Sequence, residues 1–299
     1  MTRFEKIGMI LMLIHAAMWG LFPVIVNRGT QNISPLIFAA LTIILATVGA
    51  FIYAAVQGKL PELKKKKSYR SLIMITICIV IVPYILLFIG ASKTSGVNTS
   101  VLLLSEIIFT LIFTHFIGEK TTGYKLMGAG GVFIGALFIL YNGSFQLNIG
   151  DILIIISTIT YPIGNFYAKK ALNVVSPAII LFTRFLLGGL FILGFALIVE
   201  PNVNFGEIIS NYWLYILFSG LILLGIGKVI WYEGLKRVDI SKAISLTMTF
   251  PLFSLLVLVA IFKESVSIYQ WIGIIIMMIG VFFSIKRPSV DPQTTKYAN

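Results

Sequence analysis

Apolar stretches about 20 residues long recur from one end of this sequence to the other, and few folds can absorb them. A helix rising ~1.5 Å per residue needs about that length to cross a ~30 Å hydrocarbon layer. Ten such spans are read, at 7–26, 35–57, 71–91, 97–117, 124–142, 150–168, 177–199, 212–234, 243–262 and 268–285. Lipid offers no water to the backbone, so each stretch must satisfy its own amides as a helix. The expected fold is an all-α integral membrane protein with ten transmembrane helices. Composition agrees: 58% of the 299 residues are hydrophobic and 11% are charged, whereas a soluble domain is about a quarter charged. The first span follows Arg3 and Lys6 like a signal peptide, but it lacks a small-x-small cleavage site and is kept as a helix. Cys78 is the single cysteine, which excludes an intramolecular disulfide.

The net charge of +12 is informative only once sorted by loop. Of the 23 lysines and arginines, 18 fall on the side of the N-terminus, 3 (Arg28, Lys93 and Lys263) on the other, and 2 (Arg184 and Lys228) inside spans. Basic loops stay cytosolic, so both termini are expected inside. The excess then reports orientation and contact with anionic membrane lipids, and no nucleic-acid partner is expected. The run Lys64–Lys67 reads as a stop signal between the second and third spans.

The sequence also repeats itself. HAAMWGLFPVIVNRGTQNISPLIFAAL from His15 aligns with STITYPIGNFYAKKALNVVSPAIILFT from Ser157, superimposing Ser34-Pro35 on Ser176-Pro177 and Trp19 on Tyr161. GEKTTGYKLMGAGGVFIGALFIL from Gly118 aligns with KESVSIYQWIGIIIMMIGVFFSI from Lys263, pairing Glu119 with Glu264. Each half holds five spans. Because five is odd, the second half enters the membrane upside down, an arrangement that gives two similar packings open to opposite sides.

Trp19-Gly20 in the first span, Ser-Pro before the second and seventh, Arg184, Pro251, Glu119 and Glu264, and the glycine-rich fifth and tenth spans (Gly128 to Gly135, Gly273 to Gly280) together resemble the EamA branch of the drug/metabolite transporter superfamily. The resemblance covers roughly residues 7 to 286. It implies two inverted EamA-like five-helix repeats at 7–142 and 150–286, with a cytosolic tail at 287–299. It also implies a cavity lined mainly by helices 1, 3, 4, 6, 8 and 9, and export of amino acids or related metabolites. Two departures stand out: Thr42 where the first half often carries an arginine, and Glu106 near the place that Pro251 holds in the second half.

Ionisable groups inside a span are expensive, roughly 2.5 to 3.5 kcal/mol each on insertion scales, and need a partner, a wet cavity or a route to the interface. Glu106 lies near the middle of the fourth span, too short to reach either interface. It is the leading candidate for proton coupling or for holding a substrate amine, and the alternative is a hydrogen bond between helices. Spacing places Thr99, Glu106 and Thr110 on one helical face. Lys228 either lines the cavity, beside Trp231 and Tyr232 and within reach of Glu106 or a substrate carboxylate, or snorkels towards the cytosolic charges. Arg184 is expected to serve structure or gating. His15 is either a helix contact or a second proton-coupling candidate. Trp19 and Tyr161 offer repeated aromatics, Thr158, Tyr161 and Asn165 share a face, and Tyr84 follows Pro83. Pro83 and Pro251 are expected to kink their helices and expose carbonyls for gating. Glycines such as Gly131 and Gly135 suit close packing within one chain, so a monomer suffices.

A secondary transporter of a small-molecule solute is the primary expectation. No Gly-x-x-x-x-Gly-Lys motif for ATP is present, and neither a cofactor nor a metal is expected. Lys228 and Arg184 as paired cations suggest an alternative, an exchanger of anionic or phosphorylated metabolites. A polytopic membrane enzyme would need clustered acids or histidines on one face, and the 11 acidic residues lie mostly in loops; the protein is expected not to be an enzyme. Ile- and Lys-rich usage and the lack of a targeting extension point to a bacterial plasma membrane.

Overall fold

A computed structural model of the chain describes residues 3–117, 123–141, 143, 148–235, 237, 246–247 and 249–285. Among them every regular element is helical. Seven helical runs are long and apolar enough to cross a membrane, and three shorter apolar helices, Leu126–Tyr141, Phe250–Ala260 and Ile268–Phe283, accompany them. Glu119, Lys236 and Lys242 lie outside the described residues, as does the tail at 287–299.

Only some runs are straight. Helices α1 (Arg3–Gly29), α2 (Pro35–Val56) and α10 (Pro177–Val199) are continuous. The third span divides into α3 (Tyr69–Ile75), a π segment (Thr76–Ile81) and α4 (Val82–Ala91), and the fourth into α5 (Gly96–Val101), a 3-10 turn (Leu102–Ser105) and α6 (Glu106–Phe116). Beyond α7 (Gly123–Tyr141), the sixth span breaks between α8 (Ile149–Ser157) and α9 (Tyr161–Leu172). The eighth joins α11 (Phe205–Ile216) to α12 (Gly227–Leu235) through a second π segment, Leu217–Ile226. Helices α13 (Phe250–Ala260) and α14 (Ile268–Ile285) follow. Proline explains three restarts: Pro83, Pro162 and Pro251 sit in the first two positions of α4, α9 and α13. A proline lacks the N–H that a continuing helix would need, and it is tolerated where a helix begins.

The helices pair in a pattern that survives exchanging the halves. Helix α1 packs on α12 and the π segment before it, and α8 packs on α4 while α9 packs on α3. Likewise α1 packs on α13 and α9 on α6, while α2 meets the second π segment and α10 the first. The remaining large contacts, α2 on α10 and α7 on α14, join equivalent elements. In the α7–α14 pair the glycine stripes face each other across one chain. A Cβ added at Gly273 would lie 2.6 Å from the Gly135 carbonyl, and one at Gly280 would lie 2.7 Å from that of Gly128. Only hydrogen at these positions permits backbones this close. Phe22, Phe38, Phe88 and Phe185 are fully buried in the centre, whereas Val56, Phe116 and Ile198 are about four-fifths exposed on the outside, where lipid rather than water is the compatible solvent.

Candidate functional site

The broken spans restart around the polar residues. Glu106 is the first residue of α6, Tyr161 the first of α9, Lys228 the second of α12, and Tyr84 the third of α4. A 3-10 or π segment leaves backbone groups outside the regular i to i−4 ladder, and at membrane depth such backbone is tolerated only where it lines protein or a wet cavity. Glu106 follows the 3-10 turn without a break, its N–H bonded to the Leu103 carbonyl. Lys228 follows the second π segment in the same way, after the Gly227 N–H bonds the Ile222 carbonyl, and a cation is costly to bury there.

An aromatic face compensates. The Lys228 Nζ lies 3.6 Å from the Trp19 ring centroid, in the range where a cation is attracted to the face of an indole. Trp19 stacks on Phe22 with centroids 5.2 Å apart and meets Phe250 edge-on at 6.5 Å. His15 stacks on the other flank of Trp19 at 6.3 Å, and its Nδ1–H donates to the Gly227 carbonyl at 2.9 Å. His15 thereby ties α1 to the residue immediately before Lys228. Trp231 packs against His15 and Met12 and meets the Tyr232 ring edge-on at 4.7 Å, and Tyr232 joins the central core.

Glu106 accepts a hydrogen bond from Asn165 Nδ2 at 3.3 Å. Asn165, Thr110, Lys169 and Lys170 line a cleft of about 430 Å³. Arg184 is 8% exposed and makes no hydrogen bond or ion pair among the described residues. Its guanidinium lies 4.9 Å from the Phe185 ring centroid. The structure thus brings Lys228 to Trp19, Glu106 to Asn165 and, through Phe22, Tyr84 to Trp19, while Trp231 joins His15 to Tyr232.

Several expectations change. Lys228 turns inwards to Trp19 instead of snorkelling, and it forms no ion pair with Glu106 among the described residues. Arg184 also stays buried, although its stem is long enough to snorkel. Thr99 is not on the face of Glu106: the intervening 3-10 turn advances about 120° per residue rather than 100°, and the buried Thr99 hydroxyl donates back to Ser95 at 2.8 Å. Thr158 belongs to the end of α8, where its hydroxyl donates to Ile155 at 2.7 Å, and is separated from Tyr161 and Asn165 by the break. Thr42 holds the register of Arg184 in the first half and shares a hydrogen bond with Ser219 at 2.9 Å.

A second polar region, which sequence reading mostly missed, closes the opposite end. Arg28 pairs with Glu264 at 2.7 Å, and the Val97 N–H donates to the other Glu264 oxygen at 3.2 Å. Asp151 accepts from the Thr94 hydroxyl and from Asn98 at 3.0 Å, Asn98 accepts from Gln270 at 3.0 Å, and Asn27 donates to the Ala91 and Thr94 carbonyls. These groups border a cavity of about 1090 Å³. Only Glu264 had a sequence signal, its alignment with Glu119.

Comparison with known proteins adds the family. A model of the EamA-like transporter family matches residues 6–141 and again 148–286. The chain is 27% identical over 282 residues to an uncharacterized transporter, YoaV, of Bacillus subtilis, covering 89% of this chain and 92% of the relative. It is 23% identical over 290 residues to a "probable amino-acid metabolite efflux pump" of Escherichia coli, covering 92% and 94%. A solved crystal structure superimposes with a TM-score of 0.65 at 15% identity, covering 93% of this chain and 96% of its own, a likeness of fold alone.

Proposed function

The chain belongs to the EamA-like transporter family, and from that premise we propose that it is a secondary transporter exporting small metabolites such as amino acids across a bacterial plasma membrane. Ten helices cross the bilayer as two inverted five-helix repeats, 7–142 and 150–286, with both termini cytosolic, so that the lysine-rich end faces the cytosol. The repeats rock against each other and expose the central cluster alternately to each side. The exchangeable pairing of helices in the two halves supports this reading. So does the Escherichia coli relative, for the substrate class.

One observation carries the assignment: helices from both halves are interrupted close to Tyr84, Glu106, Tyr161 and Lys228, and no ion pair joins Glu106 to Lys228 among the described residues. In this reading Trp19, Tyr84, Tyr161, Asn165, Lys228 and Tyr232 contact the solute, with Trp231 and His15 supporting Trp19 and Lys228. Glu106 holds either a proton or the solute's amine, so that loading one displaces the other and the gradient drives the exchange. Pro83 and Pro251 supply the restarts at which the helices bend. Replacing Glu106 with Gln is expected to abolish the pH dependence of transport in proteoliposomes; an unchanged pH profile removes it as the coupling group. Two buried cations against one carboxylate also favour a second reading, exchange of anionic or phosphorylated metabolites, for which organic phosphates but not amino acids would compete.

A further inference from the structure

One turn ties the two halves together at the Arg28 end. Helix α13 stops at Ala260, and the chain reverses through Lys263, whose φ of 54° is a left-handed conformation uncommon outside glycine. The Glu264 N–H returns to the Leu258 carbonyl at 3.0 Å, and the turn so formed aims the Glu264 carboxylate at the first half. One oxygen meets Arg28 Nη2 at 2.7 Å, and the other accepts the Val97 N–H at 3.2 Å. On the same turn the Phe262 ring centroid lies 4.8 Å from the Arg28 guanidinium, and at the start of α14 Gln270 donates to Asn98 at 3.0 Å.

These contacts lie between a wet space and a dry one. Arg28 and Glu264 line the cavity of about 1090 Å³ together with the turn residues Thr94, Ser95, Lys263 and Ser265. Further into the span, Val97, Ser100, Val101 and Leu258 have no exposed surface. A Cβ added at Gly96 would lie 3.0 Å from Glu264 Oε2 and 2.5 Å from Leu258 Cδ2, so α5 is drawn close against the turn. Ser100 shares that face of α5 one helical turn deeper. Both partners of the ion pair keep some solvent exposure, and such pairs hold weakly enough to break and re-form.

The repeat marks this contact as a moving part. Aligning the halves places Lys170 at the register of Arg28, Asn173 at that of Gln31 and Ile117 at that of Phe262, and those three residues line the cleft of about 430 Å³. There Lys170 Nζ rests 4.3 Å from the Phe166 ring centroid and forms no ion pair among the described residues, which do not include Glu119. Equivalent surfaces of an inverted repeat are thus held differently, as they are when one side is shut and the other is not. We infer that the Arg28–Glu264 pair is the latch of the outer gate: formed, it shuts the Arg28 end of the solute path, and its release lets the turn at 261–267 part from α1 and α5. The inference rests on the transporter reading with both termini cytosolic, and it adds the residues that close one face.

The test is the reactivity of a thiol beneath the latch. In a Cys78→Ala, Ser100→Cys chain, a small membrane-impermeant thiol reagent supplied from outside intact cells should react slowly at position 100. Adding Glu264→Gln or Arg28→Gln is expected to raise that rate by about fivefold, the effect of losing a partly exposed ion pair. Both together should raise it no further, because they break the same contact. Arg28→Lys should stay near the parent rate, and the exchange Arg28→Glu with Glu264→Arg should return most of the way to it. General loosening is distinguished by the native thiol of Cys78, buried in the π segment of the third span: in detergent, Glu264→Gln should not raise its reactivity. An unchanged rate at position 100 in both single variants, additive effects in the double variant, or an equal rise at Cys78 would each overturn the inference. The readout needs no transported solute, so a latch-dependent thiol at position 100 beside a Glu106→Cys thiol that reacts from neither face would sink the transporter reading and leave the latch standing.

Discussion

At the end of the bundle near Arg28, charged and amide side chains are bonded to one another: Arg28 to Glu264, Asp151 to Thr94 and Asn98, Asn98 to Gln270. At mid-depth the bookkeeping is left open. Lys228 has an aromatic face in place of an anion, and Arg184 has no acceptor among the described residues. Both regions bury charge, and burial alone costs free energy in each. The difference is that the first region offsets the cost internally, as a structure that holds elements together does. The second offsets it with no ion pair among the described residues.

That contrast can be broken by mutation. At mid-depth, Lys228→Met is expected to reduce transport by roughly 10- to 100-fold, the loss of one charge-assisted contact, while the unfolding temperature holds or rises. A fall in stability with transport intact would reverse the contrast. At the far end the opposite is expected. Glu264→Gln leaves Arg28, whose side chain is 30% exposed, without its anion, which should destabilise by about 1 to 2 kcal/mol after allowance for solvent screening. Exchanging the partners, Arg28→Glu with Glu264→Arg, should recover part of that loss in thermal unfolding.

Asp151→Asn sharpens the comparison. The amide oxygen can still accept from Thr94 and Asn98, so if the region is purely structural, stability should change by less than about 1 kcal/mol and transport should be unchanged. A lost or pH-shifted transport rate would instead make Asp151 part of the pathway. The smallest effect is expected at the lysine-rich end, where Glu62 accepts from the Ser176 N–H at 2.6 Å and pairs with Lys65 at 3.4 Å. Partial burial by itself would push this carboxyl up, but the bonds from Ser176 and Lys65 outweigh it and hold it below its ordinary 4.5. Ionised Glu62 therefore stabilises the fold above about that pH, and the contribution disappears as pH falls through the lower folded value. Acid unfolding of Glu62→Gln should lack this component.

The sequence was legible wherever the signal was local or periodic. Apolar length located the spans, Trp19 and Tyr161 aligned across the repeat, and Gly131 and Gly135 marked a close helix contact later found against Gly280 and Gly273. Glu106 and Lys228 stood out because lipid makes their charge expensive. What escaped was geometry set by tertiary packing. Nothing in LLLS announces that residues 102–105 tighten into a 3-10 turn and rotate Thr99 away from Glu106. The far-end network joins residues as distant as Arg28 and Glu264, 236 positions apart, and no helical period connects them. Pro162 marks the break before α9 as Pro83 and Pro251 mark the starts of α4 and α13.

Alternating access requires Glu106 to occupy a wet centre that opens to each side in turn, and a thiol placed there measures this most directly. In a Cys78→Ala background, Glu106→Cys in oriented vesicles should react with a small membrane-impermeant thiol reagent supplied from either face. Reaction from neither face, or from one face only under all conditions, would contradict it.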